Sequence, residues 1–336
     1  MFSSNKRSDR LNYRDFPGDK AAWREICRTD STVPAYFKDW YWDATCDTPD
    51  DWHVILLRDG CDVIAAFPFT YTAHRGMYSI GTPWQVAASG IWLANGELSQ
   101  SQKGLRELTH IVELLVAELP EYDRFNVVFD ASLWTWQPFY WEGFSCTPHY
   151  TMVVRGQAEA LRSSLAKKRR NLITKTEREC RIEVNSISKE AYWDFFRKTC
   201  ELRDRIPTYN KEQFCKLFDA LEMHGALQTR VVFDEDGAQI AENLCVIDDS
   251  RFYHQFGTFM PGKNPGAQSF AIYDAIYSAL ISGRQFDFEG SMIRGVCEWN
   301  SSFGPVWETH YRIERQSEKY KVRASLGALV SNSRKK

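Results

Sequence analysis

The sequence predicts a mixed α/β fold of two successive domains, each a mostly antiparallel sheet flanked by helices, and three observations carry that prediction. A strand pair joined by a tight Asp-Gly turn occurs twice, at residues 54–57 and 63–69 around Asp59-Gly60 and at residues 230–233 and 240–246 around Asp236-Gly237. An apolar, helix-spaced run followed by a short strand also occurs twice, at 105–119 with 125–129 and at 267–280 with 286–289. Each of those strands leads into an aromatic, Gly-containing segment, 139–144 in the first half and 299–304 in the second. Every comparison has an offset of roughly 160 to 180 residues, the mark of a duplicated domain. The 336 residues and 43% hydrophobic composition are enough for two ordinary cores.

Taken in order, residues 1–20 are polar, contain Pro17-Gly18 and read as a flexible arm. An N-terminal domain is expected over 21–150, a C-terminal domain over 151–320 and a basic tail over 321–336. The first helix carries Trp23, Ile26 and Cys27. Pro34 then opens a helix whose aromatics, Tyr36, Phe37, Trp40, Tyr41 and Trp42, are too dense for one amphipathic stripe. Core and cleft wall are both consistent with them. Residues 158–179 predict a helix with Leu161, Leu165, Leu172 and Ile173 apolar and Lys167, Lys168, Arg169, Arg170, Lys175 and Arg178 charged. Such a run is either a solvated face or a rim that attracts phosphates. Gly283 is placed to end the helix that starts near Ala267. Phe286 and Phe288 then alternate with Asp287 and Glu289, the period of a strand with one buried and one acidic face, until Gly290 breaks it. Loops at strand ends are where chemistry usually sits, so this is the candidate active-site mouth; a solvated edge strand is the alternative.

Composition narrows the function classes. A formal net charge of −2 and a pI near 6.4 give no global attraction to DNA or a membrane surface. No apolar run approaches the roughly 20 residues of a membrane span, and the N-terminus lacks a signal-peptide core, so a cytoplasmic protein with no integral membrane segment is expected. The nine cysteines are scattered with no Cys-x-x-Cys, so neither a disulfide framework nor a metal site is expected.

The run Asp287-Phe288-Glu289-Gly290-Ser291, followed by Trp299 and then Phe303-Gly304, resembles the C-terminal signature of the Fem-like, CelD-like branch of the GNAT N-acyltransferases. The Lys167–Leu172 stretch is similar to a basic run of the same family. The resemblance implies two tandem GNAT-like domains and transfer of an acyl group from an acyl-CoA-type thioester, acetyl-CoA among them, to an amine acceptor, with no metal. It places the donor at Lys263, Gly266, Ala267 and Gln268, where a basic residue, a glycine and a helix start remain of the usual phosphate loop. The matching stretch of the first half, residues 96–100, has no basic residue, so the first domain takes a structural or acceptor-side role.

Glu289 and Asp287 are the candidate bases or amine anchors, with Glu298 a second choice. Ser291 is a candidate donor to the leaving thiolate, or simply a loop cap. Tyr253 and His254 are candidate proton relays. Arg203 and Tyr209 resemble the family's acceptor-channel residues, while Trp84, Gln85 and Trp92 are candidates for an acceptor wall. Trp299-Asn300 stands where Fem enzymes carry Phe-Lys, a cation that would help an aminoacyl-tRNA ester react. Aminoacyl-tRNA is therefore the second donor reading, and a non-catalytic binding protein on the same fold is the third.

Overall fold

Gly60, with φ +59°, and Cys61 form a two-residue turn between strands that pair from Trp52↔Thr70 to Asp59↔Asp62, so the first Asp-Gly signal does make a hairpin. The computed structural model describes residues 17–333. Most of the arm expected over 1–20, and the last three residues of the tail, lie outside them.

In chain order the elements are α1 (Pro17–Thr29), α2 (Asp39–Thr45), β1 (Trp52–Asp59), β2 (Asp62–His74), β3 (Met77–Gly81), β4 (Trp92–Leu93), α3 (Gln102–Glu118), β5 (Arg124–Phe129), α4 (Gln137–Trp141) and β6 (Ser145–Val154). There follow α5 (Leu161–Ser164), α6 (Lys167–Glu179), β7 (Arg181–Val184), α7 (Lys189–Glu201), α8 (Lys211–Met223), β8 (Leu227–Phe233), β9 (Gln239–Ile247), β10 (Arg251–Phe259), α9 (Ala267–Ile281), β11 (Gln285–Asp287), α10 (Arg294–Ser301), β12 (Val306–Gln316) and α11 (Glu318–Ser333). The basic tail expected from 321 is thus helical to Ser333.

Two compact units redraw the expected halves. The first takes residues up to Asp30, Cys46–Pro148 and the chain from Thr309; the second takes Ser31–Thr45 and His149–Glu308. The aromatic segment around Tyr36 therefore serves the second unit, where Tyr36, Phe37, Tyr41 and Trp42 are buried core.

The first unit orders its strands β1-β2-β3-β5-β12, with β4 on β2. The β1–β2, β2–β3 and β5–β12 pairs are antiparallel and β3–β5 is parallel. Leu108, Ile111, Val112 and Leu115 form one stripe of α3 and meet Phe67, Phe69, Phe125 and Phe129 from the sheet. Ser101 caps the helix by accepting the Gly104 N–H at 3.2 Å.

The second unit repeats the plan: β7-β8-β9-β10-β11-β6, antiparallel except for the parallel β10–β11 pair. Its core sets Ile272, Ala275, Ile276 and Ala279 of α9 against Met152, Cys245, Phe252 and Phe286. Gly283, at φ +75°, ends α9 as expected, and the Arg284 N–H returns to the Ala279 carbonyl at 2.9 Å. In both units a helix links the parallel strands, the topology the repeat implied. The closing strands are exchanged in sequence, because β6 follows β5 yet pairs with β11, and β12 follows α10 yet pairs with β5.

Candidate active site

The second unit's parallel pair is brief. β11 matches β10 at Arg251↔Gln285, Phe252↔Phe286 and Tyr253↔Asp287, after which β10 runs on to Phe259 while β11 stops. The Phe288 N–H stays on β6, donating to the Met152 carbonyl at 3.0 Å. Glu289 at φ +58° and Gly290 at φ +67° then turn the chain away, leaving a split beyond Tyr253. A side chain at Gly290 would run into the Tyr150 carbonyl, so the turn requires glycine. The strand expected to reach Glu289 thus ends at Asp287, because left-handed backbone breaks the alternation.

Register assigns the faces. Phe252 and Phe286 pack with α9, and the ring of His254, two residues on, stacks near Phe286. Tyr253 and Asp287, paired across, turn to the opposite face, where the Tyr253 ring meets that of Tyr36 at 4.7 Å. A bulge between His254 and Phe256 adds Gln255, whose Oε1 accepts from the Tyr36 hydroxyl at 2.8 Å and the Tyr41 hydroxyl at 3.0 Å. Phe256 and Thr258 continue that face beneath α7 and α8.

Asp287 and Glu289 differ sharply. Asp287 is buried and fully engaged: it accepts from the Thr151 hydroxyl, from Arg251 Nη1 at 2.8 Å and from the Glu289 N–H at 2.8 Å. Burial disfavours the Arg251 charge, but the Asp287 and Glu308 carboxylates outweigh it and hold the guanidinium charged. Asp287 therefore positions the turn. Glu289 is half-buried as a residue, yet its Oε1 is buried without a hydrogen-bond partner, and burial raises its carboxyl well above the usual carboxylate range. The alternative reading, an edge strand with a solvated acidic face, does not hold, because both acids are held in the fold.

The other expected site residues are dispersed. Ser291 Oγ accepts the Ile293 N–H at 3.1 Å, a local cap, and Glu298 pairs with Arg294 in the open. The Tyr253 hydroxyl donates to Asp248 at 3.0 Å, and burial drives its pKa up. His254 is held neutral by burial, its pKa lowered to about 4, and its Nε2 has no partner. Arg203 does not pair with Asp204; it donates to Thr258 Oγ1 at 3.1 Å and lies over Phe259. Tyr209 stacks on Phe196 and meets Phe256. Trp299 packs between Phe288 and Phe303 under Arg169. Trp84 and Gln85 follow β3 in the first unit, half-buried, with Gln85 at φ +63°, and Trp92 packs on Trp23 at 5.2 Å.

At the expected donor loop, Lys263 pairs with Asp234 at 3.1 Å and Gly266 lies directly under Thr176 and Leu172 of α6. Asn264 Oδ1 accepts the Gly266 N–H at 2.8 Å and the Thr176 hydroxyl at 3.1 Å, while its amide donates to Glu179 at 2.9 Å. Gln268, in the amide orientation that satisfies its neighbours, donates to the Thr258 carbonyl at 2.9 Å. Ala267, buried, packs on Val232 and Ile240. From the basic run, Arg169 turns inward to Ser269 and to Ser302 at 2.8 Å, while Lys167, Lys168, Lys175 and Arg178 are exposed.

Sequence reasoning missed Glu242. It is fully buried on β9 opposite Thr258, with Oε1 unpartnered, and burial raises its carboxyl well above the ordinary range. The signal was an acid in the middle of the mostly apolar strand run 240–246, where Asn243 is the one other polar residue, since an acid is almost never buried without a reason. Among the described residues no cluster has the makings of a metal site, and no helix is long and apolar enough to cross a membrane.

No known family profile matches the chain, and no curated protein matches it in sequence. Solved structures do match in fold. A FemX crystal structure aligns at a TM-score of 0.62 and 11% identity, covering 87% of this chain and 95% of that one. The structure of L-PGS from Bacillus licheniformis aligns at 0.54 and 11%, covering 91% and 94%. The C-terminal domain of a putative lysylphosphatidylglycerol synthetase from Agrobacterium fabrum aligns at 0.53 and 12%, covering 93% and 96%. The chain shares the fold of these structures, the Fem-like fold that its sequence led us to expect.

Proposed function

We propose that the second unit transfers an acyl group from a thioester of the acyl-CoA type to an amine, at the mouth of the β10–β11 split. The observation that carries this reading is the unpartnered, buried Glu289 oxygen on a left-handed turn where the two strands part. The amine nitrogen attacks the acyl carbonyl carbon, the new C–N bond forms, and the C–S bond breaks. Glu289 takes the proton that the nitrogen loses, and the thiolate leaves. A carboxyl whose pKa is raised by burial is the stronger base once ionised, which suits this step near neutral pH. The names of the similar folds, a Fem protein and a putative lysylphosphatidylglycerol synthetase, also point to group transfer.

A second donor, an aminoacyl-tRNA ester, is favoured by one observation: α6 covers the helix start at Gly266, and Lys263 is already paired. The chemistry is the same, with an ester oxygen leaving in place of sulfur. Turnover assays with an acyl-CoA panel and with charged tRNA, on the wild type and Glu289→Gln, test both. The expected result is transfer from acyl-CoA that falls about 100-fold in the variant. Transfer from charged tRNA alone would move the donor assignment, and full activity in Glu289→Gln would remove the base.

A further inference from the structure

Beneath α7 and α8, away from the end of β11, lies a second orphaned acid. Glu242 is 0% exposed, and among the described residues its carboxyl has one hydrogen-bond partner, the Gln239 amide, which donates to Oε2 at 2.9 Å. Tyr192 of α7 is 1% exposed, and its hydroxyl has no hydrogen-bond partner among the described residues. Thr258, paired with Glu242 across β9 and β10, shares a hydrogen bond with Thr199 of α7 at 2.7 Å, so the helix that carries Tyr192 lies over this part of the sheet; burial first and the Glu242 charge second push the Tyr192 hydroxyl well above its ordinary range. Unsatisfied polar atoms at this depth are rare in folded chains, and two in the layer between α7 and the sheet call for a guest. The surroundings are aromatic: Tyr192 stacks on Phe214 at 5.3 Å, Phe214 meets Phe256 at 5.5 Å, and Tyr209 meets Phe256 at 5.2 Å. No Lys or Arg among the described residues forms an ion pair with Glu242.

We propose that Glu242 and Tyr192 form the floor of a buried site for a compact ammonium group, walled by Phe214 and Phe256 and lidded by Tyr209. An ammonium supplies three donors and a positive charge. Two of those donors satisfy Glu242 Oε1 and the Tyr192 oxygen, the charge offsets that of the carboxylate, and the ring faces attract the cation. A planar guanidinium is a poorer guest between rings packed this closely. The lid belongs to the α7–α8 connection, residues 202–210, where Asp204 sits at φ +51° and Ile206 is 92% exposed. An amine acceptor is an ammonium in neutral water, so the site's place in acceptor recognition rests on the N-acyltransfer reading, while its existence rests on this geometry alone.

The probes are n-butylammonium and putrescine chlorides, with sodium chloride matched for ionic strength, and the readouts are thermal shift and calorimetry on the full chain. Wild type and Glu289→Gln are expected to gain stability saturably with the amines and not with sodium chloride. Glu242→Gln is expected to gain none, and Tyr192→Phe to bind roughly ten-fold more weakly, the weight of one hydrogen bond. If Glu242→Gln does not fold, Tyr192→Phe decides. No amine-dependent shift in the wild type, or an equal shift in both variants, overturns the proposal and leaves a buried water as the guest. A Glu289→Gln protein that keeps full turnover, alongside a shift that needs Glu242, would sink the acyl-transfer reading and leave the ammonium site standing.

Discussion

In the first unit the parallel pair β3–β5 ends after Ile80 and Phe125, and the chain plugs the space beyond it. Ser89 bridges to Phe129, donating its N–H to the Val128 carbonyl at 2.8 Å and accepting the Asp130 N–H at 3.0 Å. Phe125, Phe129 and Phe139 fill what remains with hydrocarbon. In the second unit the equivalent pair ends after Tyr253 and Asp287, and the next residue but one is a left-handed glutamate with an unpartnered oxygen. One strand plan thus yields a core closed by apolar side chains and backbone pairing around the small, buried Ser89 hydroxyl, and a candidate site where the turn leaves a buried carboxyl oxygen without a partner among the described residues. On the proposed reading, stability and chemistry are divided between the copies, which would give each a distinct mutational signature.

The largest effect belongs to the plug. Phe129→Ala is expected to cost about 3–5 kcal/mol, since the ring is fully buried and its neighbours cannot collapse into the space. Denaturant midpoints measure it, and a loss under about 1 kcal/mol would mean that the first unit's core is not sealed as described. Glu289→Gln comes next: turnover falls roughly 100-fold, or about 2.7 kcal/mol of barrier, with folding intact. The same variant carries a pH test. Burial raises the folded-state carboxyl above its usual 4.5, so the wild type is most stable, relative to Glu289→Gln, below that value. It loses ground as pH rises toward the folded pKa. Melts between pH 4 and 8 that run parallel for the two proteins would place the carboxyl in ordinary solvent.

Smaller effects sharpen the contrast. Gly90→Ala meets the Phe129 ring at 2.7 Å at a φ of +124° and is expected to destabilise by roughly 1–3 kcal/mol while leaving the turnover of the folded fraction unchanged. Lys263→Ala is expected to leave stability within about half a kcal/mol, because its ion pair is on the surface. It should weaken an acyl-CoA ligand roughly ten-fold in a salt-sensitive way. Unchanged affinity would favour the ester donor.

These contrasts also mark what the sequence made legible. Turns and periods are local, so both hairpins, the Gly283 helix stop and the helix–strand repeat could be read directly. Partners are not local: period 2 shows which residues share a face but not which strand lies beside them, so nothing in residues 145–154 announced a pairing with Asp287. The acids at 287 and 289 were found because they sit at a strand end. What alternation could not show is the left-handed backbone at Glu289 that turns the chain away after Asp287, a conformation that glutamate seldom signals. The donor loop looked open because Thr176 and Glu179, which cover it, come from a helix about 90 residues earlier, beyond any local pattern. Glu242 carries no strand-end or turn signal, because it lies inside β9.

The exchanged closing strands bear on how the chain is made. The β5 edge receives β12 at Tyr311↔Phe129 through Gln316↔Arg124, so the first unit's sheet has no last strand until residues 306–316 have left the ribosome. Until then β5 exposes an unpaired row of backbone donors and acceptors, the kind of edge that recruits other chains. Contacts this distant in sequence form slowly. A nascent chain stalled before residue 306 is therefore expected to be captured by chaperones or to aggregate, and cutting the gene at the repeat boundary would separate each sheet from the strand that completes it.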